Sequence, residues 1–299
     1  MENVIITGCN GFIGRKLTEY LIAKGVTVYG MDIVSGNLID KAFHFVLFDF
    51  KQDLKSYFNG IHIDVIYHLA WCGVSSTDKN NPDKQSKNLE LTRNVLELGN
   101  AIKAKKIVIP GSMSEFASYK EPVTGYEEES PSDLYAKTKC LIRKLSYEFC
   151  LSRKMDLNWL LITSVYSSER LDANLLTCCI WNLLENKEFE TTKLEQIWDY
   201  INIKDLIKAM YLIGLNGKKN KIYPIGSGDI HPLSYYVSMI GEIMGKKDLI
   251  QVGRIPYKNS FIDNSIPNVK ELKALGFKPD VSFKDGIYEM IQTIERNNS

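Results

Sequence analysis

Three side chains in the first half of the chain have the types and spacing for proton chemistry at one reacting centre: Ser112, Tyr135 and Lys139. Tyr135 and Lys139 are four residues apart, so on a helix they share a face. A phenol with a pKa of about 10 is a poor base at neutral pH, but a neighbouring ammonium stabilises its phenolate. Ser112 ends the run "KIVIPGS", and its hydroxyl could anchor a sugar hydroxyl or a carbonyl. As an isolated pair, Tyr135 and Lys139 would be ordinary helix-surface residues; what precedes them changes that reading.

The stretch "VIITGCNGFIGRKLTEYLIAKGVTVYGMD" starts at Val4 and places Gly8, Gly11 and Gly14 between an apolar strand and an apolar helical pattern. There a backbone must turn tightly, approach a pyrophosphate closely and point the amides of the first helical residues, Phe12 and Ile13, at it. Asp32 closes the second strand, where a carboxylate can accept hydrogen bonds from the adenosine ribose. No arginine or lysine follows it at once to neutralise a 2'-phosphate, so the reading favours NAD, with NADP as the alternative. Asp49, after "HFVLF", could meet the adenine edge. With such a cofactor no metal is required: a nicotinamide ring takes or returns hydride while Tyr135 handles the oxygen-bound proton.

The elements that must position these residues alternate as strand and helix. "VTVYGMD", "AFHFVLFDF", "VIYHLAW" and "KIVIPGSMS" read as strands after the first, and "DKQSKNLELTRNVLELGNAIKAKK" as a helix between the last two. Nearly all-apolar strands in this rhythm predict a parallel sheet covered on both faces. The helix carrying Tyr135 is expected to start with Ser130 as its cap, Pro131 in its first position and Asp133 completing the box. "LNWLLITSVY" reads as one further buried strand. The fold class is therefore α/β, a Rossmann-type doubly wound parallel sheet, with the dinucleotide domain and catalytic residues in 1–166. Residues 167–299 form a smaller C-terminal lobe, part of which returns to the main domain.

Composition narrows the partners. The 37 basic and 36 acidic residues leave a formal net charge of +1, which provides no drive toward nucleic acid. Six cysteines without a C-x-x-C unit fit a reducing compartment and argue against structural zinc. His44, His62, His68 and His231 are dispersed and read as structural. The chain opens directly into a strand-like run, and no segment reaches about 18 consecutive apolar residues. A cytoplasmic protein with no membrane partner is expected.

The ordered set "TGCNGFIG", "HLAW", "GSMSEF", "YAKTK" and "WDYINIKDLIKAM" resembles the extended short-chain dehydrogenase/reductase family, in particular its nucleotide-sugar epimerases, dehydratases and reductases. The resemblance implies that Gly8, Gly11 and Gly14 form the pyrophosphate loop, Asp32 binds ribose, Asp49 lies on the adenine side, and Leu69 and Ala70 line the cofactor groove. It makes Ser112, Tyr135 and Lys139 the catalytic group, gives Lys139 the nicotinamide ribose, and places Asn88 on a helix that orders the site. It further implies a nucleotide diphosphate sugar in the C-terminal lobe and a homodimer.

Departures from the family pattern bear on the reaction. Related dehydratases carry an aspartate-glutamate pair after the catalytic serine or threonine; here those places hold Met113 and Ser114, which argues against a 4,6-dehydratase. Glu115, one position on, is not assigned the missing role. In "SVYSSER", Tyr166 and Arg170 are kept while Ser164, Ser167 and Ser168 replace the usual asparagine, glycine and proline. Trp198 stands where many relatives have an arginine near the diphosphate, leaving Arg170 or another basic residue for that role. Trp71, in place of a common alanine, either narrows the sugar site or packs as a strand-end aromatic. The leading expectation is an NAD-dependent oxidoreductase acting at C4 of the sugar, as a 4-epimerase. The alternatives are an NAD(P)H-dependent reductase of a 4-keto-6-deoxy sugar and a catalytically silent dinucleotide-binding regulatory protein.

Overall fold

The structure is a computed structural model that describes residues 1–48, 54–257 and 263–298; Asp49 lies outside the described residues. The chain begins β1 (Asn3–Thr7), α1 (Phe12–Ala23), β2 (Thr27–Asp32), β3 (Phe43–Leu47), β4 (Val65–His68), α2 (Pro82–Ala101), β5 (Lys106–Ser112), α3 (Leu134–Ser152) and β6 (Asp156–Ile162). It continues β7 (Ser164–Tyr166), α4 (Leu175–Leu184), β8 (Phe189–Glu190), β9 (Ile197–Asn202), α5 (Ile203–Asn216) and β10 (Lys221–Ile225). The remaining elements are β11 (Ile230–Pro232), α6 (Leu233–Met244), β12 (Ile250–Gln251), α7 (Lys270–Ala274) and α8 (Phe283–Asn298).

Seven strands form the main sheet in the order β10-β6-β5-β4-β1-β2-β3, and every neighbouring pair is parallel. Because side chains alternate along a strand, β1 sends Val4 and Ile6 to one face and Ile5 to the other. The first face packs on α1 and α5 through Leu17, Leu21, Leu206 and Ile207. The second packs on α2 and α3 through Val95, Leu96 and Ile142. Strand order reverses between β1 and β4, where Thr7 pairs with His68. An open parallel sheet leaves a crevice at such a reversal, beyond the carboxyl ends of the strands.

Two local expectations are corrected. The helix bearing Tyr135 starts at Leu134, three residues later than expected, with Asp133 as its cap accepting from Ala136 N–H at 2.7 Å. Ser130 is engaged elsewhere: its N–H donates to the Glu115 carbonyl at 2.9 Å and its hydroxyl accepts from Ser118 N–H at 3.2 Å. The run "LNWLLITSVY" is two strands. Thr163 breaks it, donating its hydroxyl to the Asp199 carbonyl at 2.5 Å and lying 2.7 Å from the Ser265 hydroxyl. Beyond it β7 leaves the main sheet and pairs with β9. A separate core of Leu176, Ile180, Tyr236, Val237, Ile287 and Ile291 from α4, α6 and α8 supports this second layer.

Candidate active site

The glycine loop joins β1 to α1 at the strand reversal. Gly8 has φ +70°, which L side chains rarely adopt, and a Cβ there would lie 2.7 Å from the Ala70 nitrogen. A Cβ on Gly14 would strike the Gly8 carbonyl oxygen. Gly11 is the N-cap of α1 and has no side chain to cap it, so the first-turn amides at Phe12 and Ile13 are free to meet an anion. Asp32 is oriented toward this loop, its carboxylate accepting from Asn10 N–H at 3.0 Å and Ile33 N–H at 2.8 Å.

The facing wall is fixed from β4. Leu69 N–H donates to the Thr7 carbonyl at 3.1 Å, and Ala70 N–H to the Thr7 hydroxyl at 3.2 Å. The buried His68 bridges Thr7 (2.8 Å) and Thr92 of α2 (3.0 Å). Burial drives its pKa down to about 3, so the ring is neutral. A side-chain-free cradle, uncapped helix amides and a held carboxylate fit the pyrophosphate and ribose of a dinucleotide.

Ser112, at the end of β5, and Tyr135, in the first turn of α3, line one cavity of about 790 Å³. Phe12 and Ile13 enter it from the glycine loop, and Ser164, Arg170 and Trp198 from the second layer. Residues expected to serve cofactor, chemistry and substrate thus converge, with Gly8, Gly11, Gly14, Asp32, Leu69 and Ala70 forming the cradle beside the cavity. The Ser112 hydroxyl lies 2.7 Å from that of Ser114. Lys139 is 4% exposed and donates to the Pro110 carbonyl at 2.7 Å, with its nitrogen 5.6 Å from the Tyr135 ring centroid.

Electrostatics set the resting protonation. Burial, together with the Glu115 and Asp133 carboxylates, pushes the Tyr135 phenol above its ordinary value, and a hydrogen bond with Ser112 opposes this. Burial pushes Lys139 below the ordinary lysine value, and the charge of Glu115 opposes that. Tyr135 is therefore a neutral donor at rest, beside a lysine whose charge burial disfavours and Glu115 supports.

The substrate side differs from expectation in its details. Arg170 is ion-paired with Asp172, which also lines the cavity, and its guanidinium lies 5.2 Å from the Phe12 ring. The Trp198 indole N–H donates to the Ser164 hydroxyl at 2.9 Å. Ser167 is buried at the cavity wall, its hydroxyl accepting from Glu169 N–H at 3.0 Å. Trp71 is not part of the cavity lining; it packs edge-on against Tyr135 and covers Lys139. Asn88, fully buried on α2, fixes the loop that follows Trp71 through paired bonds to Cys72 at 2.7 and 3.0 Å.

Among the lining residues that carried no signal in the sequence are Lys79, Asn264 and Ser265. Lys79 places its ammonium 5.1 Å from the Tyr135 ring centroid, from a loop without periodicity. Asn264 and Ser265 reach the cavity as part of a late segment tied across the lobes, Asn264 N–H donating to the Ala117 carbonyl at 2.8 Å and Ser265 N–H to the Ile197 carbonyl at 2.9 Å.

Residues 4–226 match the model of the NAD dependent epimerase/dehydratase family. The chain belongs to that family. Among relatives, it is 24% identical over 321 residues to the UDP-glucuronate 4-epimerase of Thermodesulfobacterium geofontis, covering 99% of this chain and 97% of that one. It is 26% identical over 215 residues to the dTDP-6-deoxy-L-talose 4-dehydrogenase (NAD(+)) of Aggregatibacter actinomycetemcomitans, covering 68% of this chain and 77% of that protein. The fold matches the UDP-glucuronic acid 4-epimerase of Bacillus cereus, solved with UDP-glucuronic acid and NAD, with TM-score 0.83, 22% identity and 99% of each chain covered. Family membership accounts for the glycine cradle and the parallel sheet together. No helix among the described residues is long and apolar enough to cross a membrane.

Proposed function

We propose that this family member is an NAD-dependent oxidoreductase of nucleotide diphosphate sugars acting at C4, and specifically a sugar 4-epimerase. The observation that carries the reading is the shared cavity: Ser112 and Tyr135 face the same space as Phe12 of the glycine loop and Arg170 of the second layer. Residues 1–166 would hold the cofactor and the catalytic group, and 167–299 mainly the sugar nucleotide.

Bound NAD supplies hydride acceptance and return at the sugar carbon. Gly8, Gly11 and Gly14 would admit its pyrophosphate to the amides of α1, and Asp32 would accept from its adenosine ribose. Ser112 would hold the C4 oxygen by hydrogen bonding. Tyr135 would exchange the proton on that oxygen, with the Lys139 ammonium lowering the cost of the phenolate. Arg170, released from Asp172, would meet the diphosphate, and Ser164 and Trp198 would bound the sugar-nucleotide channel.

A second reading, reduction of a nucleotide-linked 4-keto-6-deoxy sugar, draws on the departures at Trp71, Ser167 and Trp198 and on the similarity to a 4-dehydrogenase acting on a 6-deoxy sugar. The same three residues would serve, with Tyr135 as acid. A homodimer through α2 and α3 is part of the proposal, supported by Leu141, Leu145 and Leu151, which are 46%, 47% and 72% exposed on α3. So is a cytoplasmic place in carbohydrate biosynthesis, where nucleotide sugars are made.

The deciding experiment identifies by mass spectrometry the nucleotide released on denaturation, then incubates native protein with UDP-, GDP-, CDP- and dTDP-sugars and their 4-keto forms. Co-purified NAD with reversible conversion of an ordinary sugar nucleotide supports the epimerase. Stoichiometric consumption of added reduced cofactor by a 4-keto sugar alone supports the reductase. No conversion of any of them overturns both.

A further inference from the structure

Behind Ser112, on the side away from the cavity, lies a carboxylate for which the chemistry above has no use. Glu115 is 0% exposed and is not part of the cavity lining. Its Oε1 accepts from the Ser112 backbone N–H at 2.9 Å and from the Trp159 indole N–H at 3.1 Å. Its Oε2 lies 3.1 Å from Nε of Arg143, also buried, which reaches Glu129 at 2.7 Å and donates to the Gly125 carbonyl at 3.1 Å. Gly111 leaves no room for a side chain, because a Cβ there would strike the Trp159 indole and lie 2.5 Å from Glu115 Oε1. One carboxylate thus ties the end of β5 to β6 and α3.

Burying a carboxylate is costly unless it is fully paired, and an apolar side chain of similar volume would often be as stable or more so. A use beyond packing is therefore to be sought in what the charge touches. We propose that Glu115 is a positioning residue: its carboxylate fixes the strand end that carries Ser112 and pairs with Arg143 on the face of α3 that also bears Lys139. The proposal rests on the C4 oxidoreductase reading for the use made of Ser112 and Lys139, but the coupling itself does not.

The titratable groups facing Glu115 are Arg143, Lys139, Tyr135 and Cys140, all from α3, with Glu129 behind Arg143 from the preceding loop. Burial raises Glu115 itself, and Arg143 is the main group opposing this, with Lys139 adding to it. Glu115 is the charge that opposes the burial of Lys139, so removing it lets the ammonium release its proton at lower pH.

Two substitutions separate the roles. Glu115→Gln keeps an oxygen for the Ser112 and Trp159 donors but removes the charge; Glu115→Val removes both. The titration of Lys139 is followed by NMR of protein carrying isotope-labelled lysine, with the resonance assigned by its loss in Lys139→Met. In Glu115→Gln the Lys139 midpoint is expected to fall by about one pH unit or more. The alkaline limb of NAD-dependent turnover of the converted sugar nucleotide moves with it, while kcat at the optimum stays near that of the parent protein. In Glu115→Val, kcat falls at every pH with KM little changed. An unmoved Lys139 midpoint in folded Glu115→Gln overturns the charge role, and full kcat in Glu115→Val overturns the positioning role.

Because an unpaired buried guanidinium could unfold the single variants, Glu115→Gln combined with Arg143→Leu, which removes both charges, is measured alongside. The same fall is expected there, and its absence counts equally against the proposal. If the parent protein converts no sugar nucleotide, the functional reading fails, while the Lys139 titration still decides the coupling.

Discussion

The ammonium nitrogen of Lys139 lies 3.3 Å from the centroid of the Trp71 ring and donates to the Pro110 carbonyl at 2.7 Å. Trp71 stands edge-on to Tyr135 as well, with ring centroids 5.8 Å apart. A desolvated cation over an indole gains about 2 kcal/mol, so the aromatic ring offsets part of the cost of burying the lysine. The residue that departs most visibly from the family pattern in "HLAW" therefore acts on the Tyr135-Lys139 pair.

The Trp71 indole N–H is itself buried and has no hydrogen-bond partner among the described residues. Trp71→Phe removes that donor while keeping an aromatic face over Lys139, and is expected to leave stability equal or higher. Trp71→Ala loses packing and the cation-π contact together and should lose about 3 kcal/mol. Urea unfolding of the two variants checks this; equal losses would show that the ring face is not what matters.

Tyr135→Phe keeps the ring that packs on Trp71 and deletes only the proton-bearing oxygen. Turnover should fall by about 10²–10⁴-fold, the range for loss of a general acid-base group. Dinucleotide affinity, measured by calorimetry, should stay near that of the parent protein. Retained turnover would sink the assignment of Tyr135.

Gly14→Ala places a methyl group against the Gly8 carbonyl oxygen, with the Cys9 Cα 2.9 Å away. Neither backbone group can give way without opening the loop, so a loss of about 1–3 kcal/mol in stability is expected. Dinucleotide binding should be lost with it. Wild-type NAD affinity in the folded variant would argue that the loop is only a packing device.

His68 gives a pH signature. Its folded pKa is lowered to about 3 from the ordinary 6.5 by burial, with Lys139 adding to the effect. Between these values the unfolded chain takes a proton that the folded chain refuses. The stability contribution is therefore complete above 6.5 and is lost as pH falls through that window. From about pH 7 to about pH 5 the loss from this group is about 2 kcal/mol. His68→Gln should lose correspondingly less over the same range; identical acid profiles for the two proteins would refute a neutral buried ring.

Much of the cofactor end was legible because it is local. Gly8, Gly11 and Gly14 answer to backbone sterics within one strand-turn-helix unit, and the Tyr135 to Lys139 spacing answers to helical periodicity. The apolar strands predicted the parallel sheet because a strand buried on both faces has no polar side to show. The cap of α3 was misplaced because Ser130 and Asp133 are both good capping residues. Which of them caps depends on Ser130 being drawn into pairing with Glu115, a partner outside the helix.

The sequence by itself determined which short-range geometries this protein can form: the glycine turn, the helix face shared by Tyr135 and Lys139, and the alternation that builds a doubly wound sheet. Tertiary structure alone decided what surrounds them. The break at Thr163, the cover of Trp71 over Lys139 and the burial of Glu115 against Trp159 and Arg143 each join residues far apart in the chain. Local spacing constrains dihedral angles and faces, but burial and charge pairing depend on which distant surfaces pack together, and those set the protonation of the site.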